Sequence, residues 1–253
     1  MANVLLEVKK LCKSFATDGV QNHVLNDLSL QIYENDFTVV MGASGSGKST
    51  LLYNISGMDK PNSGEVLYKG QDIAKMKEKD LSSLRTREFG FVFQQVHLVS
   101  NLTLLENVLV PGYLNKSNSA KDVKDKAETL LKKVNVENAK NRLPSQVSGG
   151  EAQRGAIARA VINNPGILFA DEPTGSLNRK NTTDVLNLLT SLNEEGLSVL
   201  MVTHDVKAAV RASRIIYLED GKIGGELTLP PYKEEDKKNR EVQINAWLTS
   251  MQW

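Results

Sequence analysis

Cysteine is nearly missing from this sequence. Cys12 stands alone among 253 residues, which excludes an internal disulfide and any multi-cysteine zinc or iron–sulfur site. Three histidines leave little material for a His-rich metal centre. No excess of either charge exists: 31 Lys+Arg face 30 Asp+Glu, for a net +1. That balance removes the basic footprint of a nucleic-acid-binding domain, although a local basic patch stays open. Long apolar runs are absent as well, the longest being short stretches such as Ile167 to Ala170 and Val199 to Val202. Nothing approaches the ~18 consecutive apolar residues of a membrane-spanning helix. Met1 to Lys10 lacks a basic start followed by an apolar core, so no signal peptide is expected and the chain reads as cytosolic.

What is present is ordinary globular material, 40% hydrophobic, 24% charged and 6% aromatic, long enough to bury a large core. Alternation from Leu5 to Phe15 and from Leu25 to Ile32 predicts strands, as does Ser63 to Gln71. Phe37 to Met41, Gly166 to Ala170 and Ser198 to Thr203 are solid apolar runs that suit buried parallel strands. Arg214 to Ile223 reads as a hairpin turning at Asp220-Gly221. Helical patterns fall between them, at Ser49 to Ser56, Ala120 to Val134, Glu151 to Ile162 and Thr182 to Leu192. In the second, Val123, Ala127, Leu130, Leu131 and Val134 share one face. Strands alternating with helices argue for a parallel α/β core, and the strand-poor stretch from about 95 to 164 for an inserted helical lobe. The charge run Lys233 to Arg240 is expected to be a solvated linker.

Gly42-Ala43-Ser44-Gly45-Ser46-Gly47-Lys48-Ser49 satisfies G-x-x-x-x-G-K-[ST], preceded by a buried-type strand and followed by a helical run from Thr50. The glycines let backbone N–H groups converge on phosphate oxygens, and the helix N-terminus adds partial positive charge. Lys48 then reaches the β- and γ-phosphates of a nucleotide, and the Ser49 hydroxyl ligates Mg²⁺. Asp171-Glu172 closes a second apolar strand at its C-terminal end, where α/β sheets place their ligands. Asp171 is the candidate Mg²⁺ ligand and Glu172 the candidate base for an attacking water. Ser148-Gly149-Gly150 forms either a second anion site or a simple N-cap and turn.

Together these residues resemble the nucleotide-binding subunit of an ABC transporter, over about Leu5 to Gly225. VSGGEAQR (Val147 to Arg154) is similar to that family's signature, Gln94 in GFVFQ falls at its Q-loop glutamine, and His204 in VTHD matches its switch histidine. Phe15 sits where an aromatic stacks on adenine, the alternative being a core residue. The resemblance implies a P-loop NTPase, ABC-ATPase fold: α/β, with a mainly parallel core sheet, an N-terminal antiparallel β subdomain and an inserted helical subdomain. Residues 1–230 would form this domain, and residues 231–253 a charged linker with an amphipathic tail. It implies ATP and Mg²⁺, the metal held by Ser49, Gln94 and Asp171. Glu172, His204, Lys48 and Gln94 would act in hydrolysis. Phe15, Gly42, Ser44 to Thr50 and, from a second copy, Ser148 to Gly150 would bind nucleotide in a head-to-tail dimer. The implied partner is an integral-membrane permease, so the chain would sit on the cytoplasmic face of the membrane and bind no nucleic acid. Val96, Leu98, Val99 and Leu102 then lie either near the permease groove or in the core of the lobe.

Departures from the pattern are informative. Asn178 stands where the family usually has Asp, in a loop that speaks across the dimer, and Val147 and Glu151 replace the usual signature Leu and Gln. MGASGSGKSTLL, GFVFQQVHLVSNLTLLENV and FADEPTGSL resemble the MacB/LolD/FtsE-type branch, which includes lipoprotein release, peptide export or resistance, and cell-division signalling. A regulatory ATPase gating a signalling complex without moving solute is the alternative function. In the tail, Val242, Ile244, Trp247, Leu248 and Met251 line a short helix that either packs back on its own domain or docks a partner.

Overall fold

The computed structural model describes residues 3–17, 20–115, 119–251 and 253. They divide into two compact units, Met1–Leu81 with Ser198–Trp253, and Ser82–Leu197. In the first unit β1 (Val4–Thr17) and β2 (Val20–Tyr33) pair antiparallel. Next in order come β3 (Phe37–Met41), α1 (Lys48–Ile55), β4 (Ser63–Tyr68) and β5 (Gln71–Asp72). β4 joins the other edge of β1, giving an antiparallel sheet in the order β2-β1-β4-β5. α2 (Glu78–Glu88) carries the chain out of this unit.

The second unit holds β6 (Phe89–Phe93), α3 (Leu104–Leu114), α4 (Ala120–Lys133), α5 (Gly149–Val161), β7 (Ile167–Asp171) and α6 (Arg179–Glu194). The chain then returns to the first unit as β8 (Ser198–Val202), α7 (Val206–Ala209), β9 (Arg214–Glu219), β10 (Lys222–Thr228) and α8 (Lys237–Ser250). There β3 lies between β8 and β9, parallel to both, and β10 closes the edge antiparallel. All five residues of β3, β7 and β8 are buried, as their unbroken apolar runs require. Asp220 and Gly221 take φ of 46° and 74°, the left-handed pair that a two-residue hairpin turn needs.

In the second unit the apolar face of α4 behaves as its spacing predicts. Ala127, Leu131 and Val134 pack with Leu104, Val108, Ala158 and Ile162. α3 was not legible in the sequence because Pro111 and Gly112 lie inside it, residues that usually end helices. Gly112 is there for space: a Cβ would stand 2.5 Å from Val123 Cγ1. β6 escaped notice too, since five apolar residues in a row carry no period-2 signal; it pairs parallel with β7.

Most of the Lys233 to Arg240 run is exposed, as expected of a solvated stretch, but its second half is helical and its last residue buried. α8 starts at Lys237 and buries Arg240, whose Nε donates to Val210 O at 2.8 Å and Nη1 to Pro230 O at 2.7 Å. A third donor reaches Ala212 O. Buried arginine is tolerated because backbone carbonyls satisfy its fork. The tail packs on its own unit, with Ile244 and Leu248 fully buried and Trp247 edge-on to Tyr217 at 6.5 Å. Gly225 allows that approach, since a Cβ there would stand 2.8 Å from Met251 Sδ.

Candidate functional site

The first unit builds a cradle directly after β3. Gly42 lies so close to β9 that a Cβ would stand 2.2 Å from Leu218 O. Ala43, Ser44 and Gly45 are exposed at the tip, and Gly45 (φ 84°) and Gly47 (φ 101°) take left-handed backbone open to glycine without strain. Gly47 is the N-cap of α1, and among the described residues no side chain caps that end, leaving helix N–H groups aimed outward with the positive end of the dipole. Lys48 Nζ donates to Gly42 O and Ala43 O, both at 2.8 Å, so the ammonium is tethered over the loop. Ser46 Oγ is buried with no hydrogen-bond partner among the described residues. An uncapped helix start, a fixed ammonium and an orphan hydroxyl fit an anion. Ser49 and Thr50 follow in the first turn, half-buried.

Register brings His204 to the same end of the sheet. Val202 of β8 sits opposite Val40 of β3, and Thr203 N–H donates to Val40 O at 3.1 Å. The next residue, His204, is exposed. Phe15 is 45% exposed, which excludes the core alternative. Its ring lies 5.0 Å from Lys13 Nζ, itself held by Asp59 at 2.7 Å.

The second unit pairs the other candidates. Phe93 of β6 opposes Asp171 of β7, so Gln94 and Glu172 leave adjacent parallel strands side by side. Asp171 is buried. Glu172 has φ 45°, uncommon for a residue with a long side chain. Of the two neighbouring glutamines, Gln94 lies against the loop after Glu172: a Cβ on Gly175 would stand 2.8 Å from Gln94 Nε2. Within this unit Gln94 and Asp171 offer amide and carboxylate oxygens, hard donors of the kind Mg²⁺ takes.

Ser148 to Gly150 starts α5 two residues earlier than expected, and Ser148 is its N-cap. Its Oγ accepts from Glu151 N–H at 3.3 Å, while Glu151 Oε2 accepts from Ser148 N–H at 2.8 Å, a complete capping box. The backbone N–H of Ser148, then its hydroxyl, hold the Glu151 carboxyl below its ordinary pKa. Gly150 must lack a side chain because a Cβ would stand 2.4 Å from the Asn181 amide. Asn178 is the N-cap of α6, its Oδ1 accepting from Asn181 N–H at 3.0 Å. That cap role is one that Asn and Asp fill about equally.

The segment after Gln94 leaves apolar side chains uncovered. Val96, Leu98 and Leu102 are half-buried and Val99 exposed, with Val110, Tyr113 and Leu114 exposed on α3 at i, i+3 and i+4, one helix face.

Comparison with known proteins decides the family. The ABC transporter family model matches residues 25–175. The chain belongs to the ABC transporter family. Two solved structures are close to it. The dimeric structure of a post-hydrolysis state of the ATP-binding cassette MJ0796 bound to ADP and Pi is 38% identical, with a TM-score of 0.83, covering 90% of this chain and all of that one. The dimeric structure of MJ0796, a bacterial ABC transporter cassette, is 39% identical with the same coverage and TM-score. The fold is therefore that of an ABC ATPase, with an antiparallel N-terminal sheet and a parallel core sheet, and the chain is an ATP-binding, ATP-hydrolysing cassette. Among the described residues no helix is long and apolar enough to cross a membrane. Sequence reasoning quoted Gln153 within VSGGEAQR without giving it a role and missed Arg159; both hold the backbone around Gln94 and Glu172 from α5.

Proposed function

We propose that this chain is the ATP-hydrolysing subunit of a membrane transporter, working as two identical cassettes on the cytoplasmic face of the membrane. The observation that carries the reading is the uncapped N-terminus of α1 with Lys48 tethered above it. The N–H groups of Gly45 to Thr50 and the Lys48 ammonium hold the β- and γ-phosphates of ATP, and Phe15 stacks on the adenine. Ser49, Gln94 and Asp171 would hold Mg²⁺, which would supply neutralisation of phosphate charge.

Glu172 accepts a proton from the attacking water as its oxygen bonds to the γ-phosphorus and the bond to the ADP oxygen breaks. His204 donates to the γ-phosphate oxygens that gain charge in that step. Ser148, Gly149 and Gly150 of a second copy cover the γ-phosphate, which glues two cassettes until hydrolysis removes it. MJ0796, described as dimeric in both solved structures, supports this arrangement. The uncovered apolar residues Val99, Val110, Tyr113 and Leu114 supply a surface for a permease helix. Resemblance to the MacB/LolD/FtsE-type motifs supports mechanical work or export as the output.

The test is purification of the tagged chain from detergent-solubilised membranes, followed by reconstitution in vesicles. One integral-membrane protein at fixed stoichiometry, whose presence changes the ATPase rate, is the expected result. An ATPase rate indifferent to every co-purifying membrane protein would refute the transporter reading.

A further inference from the structure

One amide nitrogen on α5 holds the ends of both strands that carry the hydrolytic side chains. Gln153 is buried at 1% exposure, and its Nε2 donates to Phe93 O at 3.0 Å and to Pro173 O at 2.8 Å. Phe93 immediately precedes Gln94, and Pro173 immediately follows Glu172. An amide NH₂ has two hydrogens, and both are committed to these carbonyls. Six residues further along α5, Arg159 donates to His97 O at 2.5 Å and to Val96 O at 3.1 Å. Gln94 and Gln95 are therefore strung, exposed, between two anchors on one helix. That helix begins at Ser148-Gly149-Gly150.

The remaining polar atom says what the amide is for. Gln153 Oε1 is buried with no partner among the described residues, and an orphan acceptor is unfavourable. An apolar side chain would fill this space without that cost, so the two donated bonds are what glutamine contributes. The backbone that Gln153 and Arg159 hold is also not at rest in a preferred conformation. Glu172 and His97 lie at φ 45° and 47°, positions that persist where the surroundings over-determine them.

We infer that Gln153 is a positioning residue for ATP hydrolysis, with Arg159 as its companion anchor. It fixes the relative placement of Gln94 and Glu172 and ties both to the α5 start. This rests on the roles proposed above for Gln94, Glu172 and Ser148 to Gly150. A group that orients others without touching substrate affects turnover rather than nucleotide affinity.

The test is Gln153→Met, an unbranched side chain of similar length with no donor, in the full chain. Steady-state ATPase gives kcat and KM, direct equilibrium binding gives the ATP Kd, and thermal unfolding gives Tm. The expected result is a kcat roughly ten- to a hundredfold lower with KM and Kd within about twofold of wild type. Ile157→Val, in the buried face of the same helix, should lower Tm while keeping kcat within about twofold. A wild-type kcat in Gln153→Met would overturn the inference, as would kcat and ATP affinity falling together with Tm. Should Gln153→Met fail to fold, Arg159→Lys, which keeps the charge but loses the fork, must lower kcat without weakening ATP binding; an unchanged kcat there would overturn it equally. A wild-type chain that hydrolyses no ATP would instead overturn the proposed function itself.

Discussion

In the proposed mechanism Lys48 serves binding and Glu172 serves turnover. Lys48 Nζ already lies over the loop, bonded to Gly42 O and Ala43 O, so its charge is organised before nucleotide arrives. Lys48→Ala removes a charge-assisted contact, and ATP affinity should fall roughly ten- to a hundredfold in equilibrium binding. Undiminished affinity would mean that the backbone cradle binds phosphate unaided. Glu172→Gln keeps the shape and loses the base, so hydrolysis should fall about a hundredfold or more while ATP binding persists. Near-normal turnover in that variant would remove Glu172 from the role of base. The turn from Gly42 to Gly47 was legible in the sequence because its close approach and left-handed backbone demand glycines. Gln153 was not, because its task is donation to two carbonyls far away in the chain, and no local pattern encodes that.

At the scale of elements, helix starts differ in how they are capped. α1 has no side-chain cap, whereas α3 and α5 carry complete capping boxes, Thr103 with Glu106 and Ser148 with Glu151. Backbone N–H donation is the foremost cause holding both glutamates below their ordinary pKa. A carboxyl depressed in the folded state contributes stability above its unfolded pKa and loses it as pH falls through the folded value. Thermal unfolding of wild type should therefore lose this contribution on acidification below the ordinary carboxylate range. Glu151→Gln, which keeps an acceptor but not a titrating group, should show a shallower loss. Identical pH profiles would mean that the box contributes nothing through charge. Asn178→Ala should cost about 1 kcal/mol of stability by removing the α6 cap, while Asn178→Asp should cost almost none; chemical denaturation reads both. Strands with clear alternation or solid apolar runs between turns were legible, as was the α4 stripe. β6, with no period, and α3, with Pro111 inside it, were hidden because burial between neighbours overrode the local signal.

For the whole molecule, the tail is part of the ATPase unit that it closes. Ile244 and Leu248 are buried, and Arg240 is anchored on Val210, Ala212 and Pro230 carbonyls. Leu248→Ala should cost about 2–5 kcal/mol in denaturant unfolding; an unchanged midpoint would show the helix to be dispensable. The charge run before it misled the sequence reading at Arg240, because composition cannot reveal that a single arginine will find three carbonyls. The central claim is that two copies close on ATP, each contributing Ser148 to Gly150 to the other's phosphate cradle. Sedimentation velocity of the Glu172→Gln chain, with Mg²⁺ and saturating ATP or ADP, tests it most directly. A dimer with ATP and a monomer with ADP is the expected result; a monomer under both nucleotides, with ATP binding verified in the same sample, would contradict it.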